Sequence, residues 1–365
     1  VTPEETLFAL MKTGSHTAVQ ALREYVVSAD ELFVMPIPEK EFLVSTFMAT
    51  KSFGRVFAPR GLGKSWFSMA LAVAVAQGKS HFLGWKIHRQ GRALYIDGEM
   101  AIADVRQRFM DLSGLEDISN LFVLPSEKLY MDARPICLDE PSEQAAIVEM
   151  LEKLDGEGRR IDLIIFDNLS TLRRGKDENS NSDTQALIDF AVELRHRGYA
   201  VLFVHHANKN GDQRGASILE VPMDYVIQLK KPEKPSPFVK GAQFRVEFSK
   251  IRSRPPEAVD FVAHLEEDQH GHLCFTVSHD SEVDEETMLL RAIAETKTKI
   301  SQRQLAETLG WALGKVNRLV SSAAKNGLLE KKGCTLTPQG RWQLHHVFPA
   351  FFPAPTSTGD VELPF

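Results

Sequence analysis

Ala58-Pro59-Arg60-Gly61-Leu62-Gly63-Lys64-Ser65 decides how this 365-residue chain is read. The stretch follows a short apolar run at 54–57 and opens a helix-like run at 66–76. Strand, glycine-bearing loop, Lys-Ser and helix together form the context of a phosphate-binding P-loop. Backbone N–H groups at a helix start favour an anion. Lys64 adds positive charge for the β- and γ-phosphates, and the Ser65 hydroxyl is a ligand for Mg²⁺. The expected nucleotide contacts are Pro59, Arg60, Gly61, Leu62, Gly63, Lys64, Ser65 and Trp66, with ATP and Mg²⁺ as cofactors. One position departs from G-x-x-x-x-G-K-[ST]: Ala58 stands where the first glycine belongs.

Outward from the loop, strands alternate with helices. The pattern predicts strands at 92–97, 121–124, 161–167, 199–204, 225–229 and 244–248, and helices at 103–112, 141–154 and 184–197. Such alternation implies a parallel sheet covered on both faces, with ligands at the carboxyl ends of its strands. Polar residues collect at those ends. Asp167 closes an apolar strand and is placed to hold Mg²⁺. Glu99, just beyond the strand ending at Asp97, is the preferred base for the attacking water, with Asp97 as the alternative. His205 and His206 end another strand, where either one is placed to sense the γ-phosphate. Arg214, and separately Lys250 and Arg252, are candidates to complete a phosphate site in a neighbouring subunit, since guanidinium stabilises charge that develops in phosphoryl transfer.

The composition is 43% hydrophobic and 25% charged, a globular balance. A net charge of -6 excludes an overall basic signature for nucleic acid, so such contacts must be local. Cys137, Cys274 and Cys334 are far apart and in no metal spacing, which points to a reducing compartment. No apolar run approaches membrane-spanning length and no signal-peptide pattern opens the sequence, so a cytoplasmic location without membrane contact is expected.

Five stretches in order carry a family resemblance: Phe82-Leu83-Gly84-Trp85; Ala93-Leu94-Tyr95-Ile96-Asp97-Gly98-Glu99-Met100; Ile164-Ile165-Phe166-Asp167-Asn168-Leu169-Ser170; His205-His206-Ala207-Asn208-Lys209; and Gln213-Arg214-Gly215-Ala216-Ser217. The series resembles the RecA-like ATPases of the RepA type, hexameric replicative helicases of broad-host-range plasmids, over roughly residues 38–265. The resemblance implies that Lys64 and Ser65 are the Walker A pair, Glu99 the catalytic glutamate and Asp167 the Walker B aspartate. It makes His206, or His205, the phosphate sensor and Arg214 the trans-acting finger, with Lys250 and Arg252 a competing Lys-x-Arg finger. It also implies a homo-oligomeric, hexameric ring. The polar loop after the Walker B strand, with Arg173, Arg174 and Lys176, would face the ring channel and track single-stranded DNA, and Lys209 offers a second such contact.

Four domains are expected: a helical lead-in at 1–37, an α/β RecA-like core at 38–280, a winged helix at 281–347 and a tail at 348–365. Residues 297–346 hold nine Lys or Arg against two acids, an excess of 9 − 2 = 7. Lys315 and Arg318 on the recognition helix, with Lys331 and Lys332 on the wing, form the footprint of a duplex-DNA contact. Asp360, Glu362, Leu363, Pro364 and Phe365 resemble the tip of bacterial single-stranded-DNA-binding proteins, which docks a host replication protein. The expected function is an ATP-driven DNA helicase or translocase in the replication of a plasmid, phage or other mobile element. Two alternatives are an ATP-dependent DNA-binding regulator and a loader or scaffold that does not unwind.

Overall fold

A computed structural model describes residues 22–23, 25–37, 39–114, 116–173, 181–207, 217–233, 235–236, 239, 241–253, 255–256, 259–268, 271–278, 285–296, 300–330 and 334–347. The chain divides into two units, Val1–Lys40 and Glu41–Phe365. In the first, the helix Ala29–Val34 is started by a capping box in which Ser28 and Glu31 satisfy each other's backbone N–H. The first twenty-one residues of the expected helical lead-in lie outside the described residues.

The second unit is built on a nine-stranded sheet. Its strands are β3 (Phe53–Ala58), β6 (Ala93–Asp97), β7 (Leu121–Pro125), β8 (Leu163–Asp167), β9 (Ala200–His206), β10 (Tyr225–Lys230), β11 (Gln243–Ile251), β12 (Asp260–Glu267) and β13 (Leu273–Ser278). Two small hairpins pair β1 (Phe42–Val44) with β2 (Met48–Ala49) and β4 (His81–Phe82) with β5 (Trp85–Lys86). The sheet order is β13-β12-β11-β10-β3-β9-β8-β6-β7. From β10 to β7 every neighbour is parallel, as the alternation predicts.

From β10 to β13 the pairing is antiparallel, so the sheet is mostly parallel, as the α/β expectation has it. The segments 260–267 and 273–278 were not anticipated as strands. They carry His264, Glu266 and Ser278 at buried positions, so their polarity hides the strand pattern.

Alternate residues of the central strands serve two cores. Leu163 and Ile165 of β8, with Leu202 and Val204 of β9, pack toward the helix Lys64–Gln77. Ile164 and Phe166, with Val201 and Phe203, pack toward the helices Pro141–Gly156 and Asn181–His196. That period of two, apolar on both faces, is why these strands read as continuous hydrophobic runs. The predicted helices are present within a few residues of their expected ends.

The C-terminal region has a third core. Leu289, Leu290 and Ile293 of the helix Glu285–Glu295 meet Leu305 and Leu309 of Gln302–Leu309 and Val316 and Val320 of Leu313–Lys325. Ser301 and Gln304 form a capping box that starts Gln302–Leu309. Leu329 and Leu336 make one antiparallel bridge, and a further helix, Pro338–Val347, adds Leu344. Arg291 joins this region to the sheet through a buried ion pair with Glu266.

Candidate nucleotide-binding and catalytic site

The carboxyl ends of β3, β6, β8 and β9 meet around a cleft of about 710 Å³. Gly61, Gly63, Lys64, Ser65 and Trp66 form one wall; Glu99, Asp167, Asn168 and His206 face them. The P-loop geometry explains both of its glycines and its missing one. Gly61 and Gly63 have φ of 76° and 106°, left-handed values that favour glycine, and Gly63 caps the helix Lys64–Gln77. A Cβ on Gly63 would also lie 2.6 Å from that of Ala242. Ala58, by contrast, is the last residue of β3, paired with His206 and fully buried. Strand backbone accepts an alanine, so the departure from the motif carries no conformational cost.

Lys64 folds back over the loop, its Nζ donating to the carbonyls of Ala58 and Pro59, each at 3.1 Å. Burial lowers its pKa to about 8, against the pull of the Asp167 and Glu99 carboxylates; Arg60 lowers it further.

Asp167 is buried at the end of β8. Its Oδ2 accepts from Ser68 Oγ at 2.9 Å and Tyr95 Oη at 2.5 Å. Burial raises its carboxyl above the usual range, opposed by hydrogen bonds from Tyr95, Ser65 and Ser68 and by Lys64. These donors and charges converge on one place. A glycine cradle, an ammonium group, a hydroxyl and two carboxylates fit the phosphates of a nucleotide and a hydrated Mg²⁺.

The two carboxylates at the end of β6 separate by environment. Asp97 pairs in register with Asp167 and is buried, accepting from the Met100 N–H at 3.1 Å. Burial pushes its pKa up to about 6; the Met100 and Glu99 N–H groups oppose this, while Asp167 and Glu99 add to it. Glu99 lines the cleft and accepts a hydrogen bond from Asn168 Nδ2. The histidines separate likewise. His206 lines the cleft, whereas His205 is buried with Nδ1 3.5 Å from Ser170 Oγ.

Sequence reading missed Tyr95, Ser68, Asn168 and Arg108. Arg108 lies over the Trp66 ring, 4.7 Å from its centroid, at the edge of the cleft. Its signal was the spacing of Ala101, Asp104 and Arg108, one face of a helix. The signal for Tyr95 was its position two residues before Asp97, on the same face of β6.

Other expected residues fall elsewhere. Lys250 is opposite Val226 in the β10–β11 pairing, and Arg252 follows Ile251, which is opposite Tyr225. Tyr225 in turn lies beside Gly54, so both cations sit at the amino ends of the parallel strands, away from this cleft. Lys250 Nζ donates to the carbonyls of Glu220 (2.5 Å) and Val221 (3.2 Å), and Arg252 donates to that of Val221.

Arg173 requires a correction. Its guanidinium is buried, with Nε 2.9 Å from Asp139 Oδ1, so it belongs to the protein interior rather than to a DNA-facing loop. The helix Leu169–Leu172 carries it inward before the polar stretch begins. Arg174, Lys176, Lys209, Arg214, Lys331, Lys332 and the tail residues Asp360, Glu362, Leu363, Pro364 and Phe365 lie outside the described residues. Lys315 is held 2.5 Å from Glu285 and over the Trp311 ring, while Arg318 is exposed. Among the described residues, no cluster of three His, Cys, Asp or Glu could hold a metal and no helix is long and apolar enough to cross a membrane.

A mostly parallel α/β sheet with a P-loop at its carboxyl edge defines a P-loop ATPase, consistent with a RecA-like core. The AAA domain model matches residues 17–212, more than half of the 365, and the chain belongs to that family. No curated protein matches it. Among solved structures, it is similar to the flagellar accessory protein FlaH from Methanocaldococcus jannaschii, at 13% identity and a TM-score of 0.44, over 62% of this chain and 90% of that one.

Proposed function

We propose that the chain is an ATP-driven, ring-forming DNA helicase or translocase of the RepA type, serving the replication of a plasmid, phage or other mobile element. The observation that carries the hydrolytic part is the convergence of Lys64, Ser65, Asp167, Glu99 and His206 on one cleft. In this reading Ser65 and Asp167 hold Mg²⁺, which when bound neutralises charge on the β- and γ-phosphates. Lys64 leaves the Ala58 and Pro59 carbonyls for the phosphates. Glu99, oriented by Asn168, accepts the proton of the attacking water, and His206 contacts the γ-phosphate.

The ring-forming part is supported by the place of Lys250 and Arg252. They lie at the opposite end of the sheet from their own cleft, where a neighbouring subunit's cleft can be completed. Arg214 is the second finger for that role. Single-stranded DNA is assigned to Arg174, Lys176 and Lys209. The region 285–347, with its own core and an exposed Arg318, is assigned as a winged helix that contacts duplex DNA. The tail is assigned to a host replication protein.

Unwinding of a forked duplex with ATP, measured beside mass in solution, tests this. ATP-dependent strand separation by a hexamer-sized species is expected. ATP hydrolysis by a monomer or dimer that ignores DNA would replace the motor with a regulator or scaffold.

A further inference from the structure

Beneath the cleft, two hydroxyl groups are spent on one carboxylate oxygen. Tyr95 on β6 and Ser68 in the helix Lys64–Gln77 are fully buried, and both point at Oδ2 of Asp167, at 2.5 and 2.9 Å. Ser68 has one proton to give. The Ser65 carbonyl competes for it at 3.1 Å, but the bond to the carboxylate is shorter and charge-assisted, hence stronger. Tyr95 donates its phenolic proton to the same oxygen. Its ring is held edge-on against Phe109, with centroids 5.3 Å apart.

A carboxylate on a strand end can rotate about its last torsion, and its two oxygens are otherwise equivalent. Two donors on the same oxygen remove that equivalence. They come from two different elements, and one of them, Ser68, follows Ser65 by a single helical turn. The hydroxyl of Ser65 and the carboxylate of Asp167 are thereby tied to each other through rigid backbone.

We propose that Tyr95 and Ser68 are positioning residues that fix the Asp167 carboxylate for Mg²⁺, and so set the metal affinity of the nucleotide site. The proposal rests on the hydrolase reading above. Neither residue touches the metal or the nucleotide; both act through Asp167. Outer-shell partners of this kind typically change metal affinity or activity about 10–100-fold when removed.

The test is binding of fluorescent mant-ADP to the full chain, with Mg²⁺ titrated and with EDTA, for wild type, Tyr95→Phe and Ser68→Ala, with thermal melts alongside. Each variant deletes a hydroxyl and keeps the packing of the rest. The Mg²⁺ concentration at half-saturation should rise about tenfold in Tyr95→Phe, and in the same direction in Ser68→Ala. Affinity in EDTA should stay within about twofold, since nothing that grips the phosphates is altered. A purely structural tie would instead lower the melting temperature and leave the Mg²⁺ requirement unchanged. Unchanged half-saturation in the variants overturns the proposal, and Ser68→Ala decides alone should Tyr95→Phe not fold. A wild type that binds no mant-ADP removes the hydrolase reading itself; one that binds it without regard to Mg²⁺ removes the metal role of Asp167 and this proposal with it.

Discussion

Asp97 and Glu99 leave the same strand end two residues apart, yet Glu99 lines the cleft while Asp97 is buried beneath it. Lys64 faces both Glu99 and Asp167, and its own titration gives a prediction. Its pKa in the free protein is lowered to about 8, chiefly by burial. Phosphate favours the charged form, so the bound value is higher. Affinity for ADP without metal should therefore be level below pH 8. Above it, affinity should fall by up to about tenfold per pH unit, the limit for one linked proton. Titration calorimetry from pH 7 to 9.5 checks this, and Lys64→Ala should bind weakly with no such slope. At this scale the sequence was informative wherever a residue belongs to a motif. Lys64 and Ser65 were placed in the P-loop, and Glu99, Asp167 and His206 (or His205) at strand ends; Lys64, Ser65, Glu99, Asp167 and His206 meet. Tyr95 and Ser68 were not, because a buried tyrosine or serine in an apolar run looks like packing until its partner is known.

The strand β3 carries a cation that no motif announces. Arg55 is fully buried in the run that was read as apolar, paired with Glu220 at 2.5 Å and 5.1 Å from the centre of the Phe57 ring. Burial lowers its pKa to about 10 against the pull of Glu220, and its Nε and Nη1 are buried without a hydrogen-bond partner among the described residues. Glu220 ends the short helix Ser217–Glu220 before β10, and Lys250 grips its carbonyl. Removing the carboxylate leaves a buried charge uncompensated, whereas removing both partners does not. Glu220→Gln should cost about 3–5 kcal/mol in urea unfolding, and Arg55→Met with Glu220→Gln should cost clearly less. Equal losses would mean that the pair is not coupled. The P-loop helix, the helices 102–113, 141–156 and 181–196, and the parallel strands were legible from the alternation of apolar runs with helix-like stretches. The antiparallel strands β12 and β13 were not. Phe261, Ala263 and Leu265 join the core, but alternating with them are His264, which bonds Ser278 at 2.9 Å, and Glu266, which bonds Thr276, also at 2.9 Å, so part of the burial there is achieved by pairing polar groups.

At the scale of the whole molecule, the ATPase core and the C-terminal region have separate hydrophobic cores. The buried pair of Arg291 and Glu266 joins them, with Arg291 also bonded to Glu295 at 2.7 Å. A boundary near residue 280 was anticipated from the sequence. The joint was not, since it pairs residues twenty-five apart across that boundary. The matched family accounts for residues 17–212, the part of the chain that holds Lys64, Glu99 and Asp167. The account depends most on hydrolysis at that cleft, and the most direct measurement is the ATPase rate with and without single-stranded DNA, for wild type and Glu99→Gln, with nucleotide binding measured in parallel. The prediction is hydrolysis stimulated by DNA in the wild type, a kcat lowered about 10²–10⁴-fold in Glu99→Gln, and nucleotide affinity kept. An unaltered rate in Glu99→Gln would contradict the assignment of the base, and a wild type that binds ATP but never hydrolyses it would contradict the account.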